Sequence, residues 1–317
     1  MKCLLPGLIA VFTLTLTTTS SASPISPDRC QSLFHLSDYD NAIPVCRKAA
    51  RAGNAESAWL MGQMMSQGLG GQKNESEALK WFRIAARENH ADSLYNLAVM
   101  LDMGQGTEEN NSEAVKWYSK AAEQGHVHSQ HNLALMYAHG EGVKQDFEKA
   151  LKWTRQAANN GLAESQYLLG QIYSTGDELV TPSSEETIKW FTRAGNQDHV
   201  KSQLSLALTY AKGLGTKIDP HQAMDWARRA AFLGDVQAQY LLGILRLRYS
   251  EDDLDLQAAA AWLTVAESSA FTAATEPLRR VTEKLSNKDI QEAKQSAQAI
   301  IETILRQQYS FNNFSSK

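Results

Sequence analysis

The stretch VHSQHNLALMYAHGEGVKQDFEKALKWTRQAANNGL (127–162) carries two helical patterns separated by glycine punctuation. The first ends at Gly140, a residue type that adopts positive φ without strain and so commonly follows a helix C-terminus. Asp146 then offers a side chain able to cap a new helix. Ala150, Trp153, Ala157 and Ala158 follow at spacings of three to four residues, which places them on one packing stripe. Upstream, AESAWLMGQMMSQGLGGQKNESEALKWFRIAARENH (55–90) and ADSLYNLAVMLDMGQGTEENNSEAVKWYSKAAEQGH (91–126) align with it residue for residue. The tryptophans show how far the pattern runs. Trp81, Trp117, Trp153, Trp190, Trp226 and Trp262 are spaced 36, 36, 37, 36 and 36 apart, so the chain is an internal repeat whose later copies are 163–199, 200–235 and an eroded 236–271.

Fixed positions within the period have separate physical reasons. Apolar and aromatic residues such as Tyr167, Leu169 and Tyr173 mark a first helix. Its interior holds one small residue, Gly62, Ala98, Ala134, Gly170, Ala207 or Gly243, which lets two backbones approach. The helix is expected to end at Gly68, Gly104, Gly140, Gly176 or Gly213. A second helix is expected to start at Asn74, Asn110, Asp146, Ser183, Asp219 or Asp255, all good N-caps. Pro220 falls at a first helical position, where its missing N–H costs nothing. Such a helix pair cannot bury its apolar side alone, so neighbouring pairs stack and share a core.

These residues resemble the Sel1-like repeats, relatives of the tetratricopeptide repeats. The pattern A-x-x-Q-x-x-L-G-x-x-Y-x-x-G-x-G-V-x-x-D-x-x-x-A-x-x-W-x-x-x-A-A-x-x-G is matched closely at 127–161, and the resemblance covers about 38–271. It implies an all-α fold: a right-handed α/α solenoid, or superhelix, of about six to seven helix pairs, with first helices that line a concave side and bind other proteins. Departures are local. A partial leading copy at 38–54 has Val45 where Trp would stand, and Pro44 lies too deep for a helix capped by Asp38, so that helix is expected to start later. The copy at 163–199 has an extra residue and replaces its G-x-G by Gly176-Asp-Glu-Leu-Val-Thr-Pro, which predicts a longer, more open loop.

The ends of the chain read differently. Lys2, an apolar run from Cys3 to Leu16 and a small, polar stretch to Ser23 read as a signal peptide at 1–22, cut near Ala22. The run is too short to span a bilayer, so no integral membrane segment is expected after cleavage. Cys30 and Cys46 are then an even pair sixteen positions apart, read as a disulfide that staples an N-terminal cap within 23–54. No CxxC accompanies them to suggest zinc or redox chemistry. At the other end, Leu278, Val281 and Leu285 form one stripe, and Ile290, Ala293, Ala297, Ile300, Ile301 and Ile304 another. With Asn287 or its neighbour starting the second of these helices, 272–308 becomes a helical cap, and 309–317 a tail without helix signal.

Composition narrows the function. The 317 residues are 43% hydrophobic and 21% charged, with 31 basic against 35 acidic side chains and a net charge of −4. That balance gives no electrostatic footprint for nucleic acid or anionic lipid. In Lys80-Trp81 and Lys116-Trp117-Tyr118 the Trp belongs to the packing face and the Lys to the solvated one. No GxSxG, P-loop or HExxH motif is present, so neither a catalytic residue nor a cofactor is expected. His126, His128, His131 and His139 cluster, with His90 one repeat from His126, a spacing that would suit a metal. His90, His126 and His199 however share the repeat-end position with Asn54 and Asp235, so surface turns are expected there and no metal.

The function expected is an exported, periplasmic or secreted, non-catalytic scaffold that binds a protein or peptide. Its contact set would be the first-helix side chains left over from packing: Asp92, Asn96, His128, Asn132, Glu164, Gln171, Lys201 and Ser205. The alternatives are binding of cell-wall (peptidoglycan) fragments and a secreted effector acting on host proteins. Oligomeric state is open.

Overall fold

The computed structural model describes residues 27–315; the expected signal peptide at 1–22 lies outside the described residues. The described chain is helical, with no strand, and forms two compact units. The first, 27–100 with 104–108, holds α1 (Pro27–His35), α2 (Tyr39–Arg51), α3 (Ala55–Gln67), α4 (Glu75–Arg87) and most of α5 (Ala91–Asp102). The second, 101–103 with 109–315, holds α6 (Asn111–Glu123), α7 (Val127–His139), α8 (Phe147–Asn159), α9 (Ala163–Thr175), α10 (Ser184–Gly195), α11 (Val200–Lys212) and α12 (Pro220–Phe232). It continues through α13 (Val236–Arg248), α14 (Asp253–Ser268), a short 3-10 turn at Thr272–Ala274, α15 (Thr275–Thr282) and α16 (Asn287–Ser315).

The repeat positions do what their chemistry dictates. Side chains of Asn74, Asn110, Asp146, Ser183 and Asp219 accept the backbone N–H three residues on, which caps α4, α6, α8, α10 and α12. The residue at the third helical position then takes a second role. Carboxylates of Glu77, Glu113 and Glu186 accept the indole N–H of Trp81, Trp117 and Trp190 at 3.3, 3.2 and 2.9 Å. The tryptophans can therefore bury their rings without orphaning a donor. In the second unit Phe191, Leu206, Trp226, Ala230, Leu242 and Trp262 belong to one core, which Ala297 and Ile304 of α16 join. Ala259, Leu263, Val281 and Ala293 form another, with Leu278 and Leu285 packed on it. Both expected C-terminal stripes thus cover the last helix pair.

Four expectations need correction. Pro44 stands inside α2, which does begin after Asp38; the i−4 acceptor that its missing N–H would have served belongs to Asp40, and both residues are exposed, where solvent is free to serve that carbonyl instead. The cap of α14 is Asp252 rather than Asp255. With no G-x-G before it the helix gains almost a turn, and Asp255 becomes the third helical residue, its carboxylate accepting the backbone N–H of Glu251 at 3.2 Å. α16 does not stop at 308 but continues to Ser315, the chain adding i→i+4 bonds where no breaker intervenes. His90, His126 and His199 are half-buried and bonded to the helices that follow them, as described below.

Cys30 and Cys46 are joined, 2.07 Å between sulfurs, and fully buried between α1 and α2. Among the described residues no helix is long and apolar enough to cross a membrane.

Candidate interaction surface

The first helices are fixed at their N-termini before they present anything. His126 Nδ1 accepts the backbone N–H of Ser129 at 3.2 Å, with the Ser129 hydroxyl 3.0 Å away; His199 does the same for Ser202 at 3.2 and 2.9 Å. His90 repeats the arrangement with Ser93, and its Nε2 lies 2.9 Å from the Glu56 carboxylate. An acceptor Nδ1 requires the neutral ring with the proton on Nε2. These histidines are helix caps, where the repeat-end position alone points to surface turns. Their shared period with Asn54 and Asp235, both capping residues, was the available signal.

A second device went unread. Gln130, Gln166, Gln203 and Gln239, all buried, donate to the carbonyls of Ala122, Ala158, Gly195 and Ala231 at 3.1, 3.0, 2.8 and 3.2 Å. Each ties a first helix to a carbonyl near the end of the helix before it, as a second donor beside the backbone N–H of Gly125, Gly161, Asp198 or Gly234.

Of the expected contact residues, Asp92 is exposed and Asn96 half-buried in the first unit. In the second unit His128, Glu164, Gln171 and Lys201 are exposed, and Asn132 and Ser205 half-buried. Asn132 is engaged within the fold: its amide donates to the fully buried Tyr118 hydroxyl at 3.0 Å, which in turn donates to Asp102 at 3.3 Å. Burial holds the Asp102 carboxyl above its usual pKa, against the pull of that hydrogen bond.

Glu164 is the electrostatic centre of the row. It faces His131 and His199, each held below the usual histidine pKa by burial, with Glu164 opposing the shift and His128 and Lys201 respectively adding to it. His131 Nδ1 lies 2.9 Å from the Ser165 hydroxyl, and the Tyr167 and His199 rings are 4.9 Å apart, so polar and aromatic contacts run from α7 to α9 to α11. Gln171 and Ser205 meet in one groove of about 270 Å³, with Phe191, Leu208 and Leu214. Polar atoms on an apolar floor suit a peptide whose backbone amides need partners and whose side chains need burial. Among the described residues no group of three or more metal-ligating side chains converges.

These helix pairs, capped alike from copy to copy, define an α/α repeat protein. The Sel1 repeat pattern matches residues 55–90, 91–126, 127–162, 163–199, 200–235 and 236–266, and the chain belongs to that family. Sel1 repeat proteins are in general protein-interaction scaffolds, and typically non-catalytic. Among solved structures, a Sel1 repeat protein from Oxalobacter formigenes is 27% identical, with 76% of this chain and 99% of that one covered and a TM-score of 0.65. A protective antigen of uropathogenic Escherichia coli with an SLR fold is 24% identical over 90% of this chain and 79% of its own, with a TM-score of 0.41. An immunity protein from Pseudomonas aeruginosa is 15% identical over 66% and 83%, with a TM-score of 0.42. No curated protein matches.

Proposed function

We propose that the protein is an exported, non-catalytic scaffold that captures a protein or peptide partner on the exposed side chains of its first helices. The observation that carries the reading is the groove between α9 and α11, where Gln171 and Ser205 stand over Phe191, Leu208 and Leu214. Glu164 and Lys201, exposed on the same two helices, add charges of opposite sign. A peptide lying along this row would meet amide partners, an apolar floor and a charge-dependent register. The buried disulfide and the apolar N-terminal run support export.

The test is affinity capture from a crosslinked cell envelope with the chain from Ser23 onward, beside a Glu164→Lys/Lys201→Glu variant. One stoichiometric protein, absent from the variant at unchanged thermal stability, is the expected result. Equal capture by both would retire this face, and capture of muropeptides instead would favour the cell-wall reading.

A further inference from the structure

In most copies the second glycine of G-x-G closes a seam. A Cβ on Gly142 would collide with the backbone of Asn111, and one on Gly215 with Ser184; each of these partners is the first residue of the second helix one repeat earlier. The Ser112 hydroxyl bonds the Gly142 carbonyl at 3.2 Å across the same seam. The copy at 163–199 has lost that glycine. Gly176 is followed by Asp177, Glu178 and Leu179, and the residue that the missing glycine would cover is Phe147, the first of α8.

The consequence is an open site rather than a seam. A cavity of about 650 Å³ lies between 145–148 and 177–179. Phe147 and Leu179, 58% and 41% exposed, supply its apolar surface. Asp146, Glu148, Asp177 and Glu178 surround them. Of these four carboxylates, only Asp146 has a cationic partner among the described residues, Lys149 at 3.0 Å. Asp177 also shapes the loop, its carboxylate accepting the N–H groups of Leu179 and Val180, both at 2.8 Å. Two large apolar side chains left in water beside unneutralised carboxylates match a ligand that offers the complement of both.

We propose that this loop pocket is a second docking site, separate from the first-helix row, for a partner segment in which lysine or arginine alternates with a leucine or aromatic residue. The apolar side chain enters between Phe147 and Leu179, and the flanking cations meet Glu148 and Glu178. An anionic or purely polar segment would find like charge at the rim and nothing to cover the apolar floor.

Fluorescence anisotropy with the chain from Ser23 onward tests this, using a labelled peptide that alternates lysine with leucine and a counterpart that alternates glutamate with leucine. Only the lysine peptide is expected to bind, more weakly as salt rises, and roughly tenfold more weakly to Glu148→Gln/Glu178→Gln. Phe147→Ser is expected to abolish binding; all these side chains are exposed, and circular dichroism checks that each variant stays folded. Failure of the lysine peptide to bind, equal binding of the glutamate peptide, or binding indifferent to these substitutions would overturn the proposal. So would loss of binding in Glu164→Lys/Lys201→Glu with the loop variants intact, which would place the peptide on the first-helix row.

Discussion

Gly170 and Phe191 share one space: a Cβ added to Gly170 would stand 2.5 Å from Cδ1 of the Phe191 ring. The same two repeat positions hold Gly62 with Phe82 and Gly243 with Leu263, but Ala134 with Thr154 and Ala207 with Ala227. Where the second helix carries a large side chain after its Trp, the first helix gives up its methyl. In the copy at 91–126 the two positions read Ala98 and Tyr118, an exception in sequence, and the tyrosine hydroxyl is held by Asp102 and Asn132.

Gly170→Ala is therefore expected to destabilise by about 1–3 kcal/mol through overpacking. In a Phe191→Thr background, which reproduces the Ala134–Thr154 pairing, the same change becomes close to neutral. Urea unfolding of the four proteins gives the coupling directly; equal effects in both backgrounds would show that the ring does not dictate the glycine.

Gln166→Met removes one donor to the Ala158 carbonyl while keeping side-chain volume. The carbonyl keeps the Gly161 N–H, so the cost is that of one lost hydrogen bond, about 0.5–1.5 kcal/mol. A lowered urea midpoint is expected, with faster amide exchange at the end of α8 and the start of α9.

Stability depends on pH through His131 and His199. Burial holds both below the usual value of 6.5, so as pH falls through that value the unfolded chain takes up protons before the folded one. Stability is fully present above that pH and declines as the medium becomes more acidic. For His199 the proton also falls on or opposes the Nδ1 that caps Ser202. His199→Asn, neutral and a good cap, is expected to flatten the decline in thermal midpoint below about pH 6.5; an unchanged slope would remove His199 from the account.

Reduction of Cys30–Cys46, which closes a separation of 16 residues, is expected to destabilise by about 3 kcal/mol in the chain-entropy view. The first unit should respond and the second should not. Hydrogen exchange with and without reductant, compared over α2 and α12, separates them.

Much of this fold could be read from the chain because its strongest signals are local and periodic. Six tryptophans set the period, and the helix-ending glycines and the Asn, Asp and Ser caps each mark one helix boundary by their own chemistry. The misreadings arose where a tertiary partner or solvent overrules the local rule. Pro44 is tolerated because Asp40 is exposed, Asp252 replaces Asp255 because no glycine turn precedes α14, and His199 resembles a turn residue until its ring is seen on Ser202. The interaction surface was less legible. Exposure of Glu164, Gln171 and Lys201 follows from helical period, whereas engagement of Asn132 by Tyr118 joins different helices that no period connects. The open loop at 176–182 was visible as a lost G-x-G, but its pocket depended on which residue of α8 the missing glycine would have covered.

The central claim is that partners are held by the first helices. Site-specific photo-crosslinking tests it most directly, with the reactive residue placed at Gln171 or Glu164 on α9 and, for contrast, at Lys152 or Arg155 on α8, all four exposed. The account predicts one covalent protein adduct from the α9 positions and none from the α8 positions. Adducts from α8 alone, from both helices equally, or from neither would contradict it.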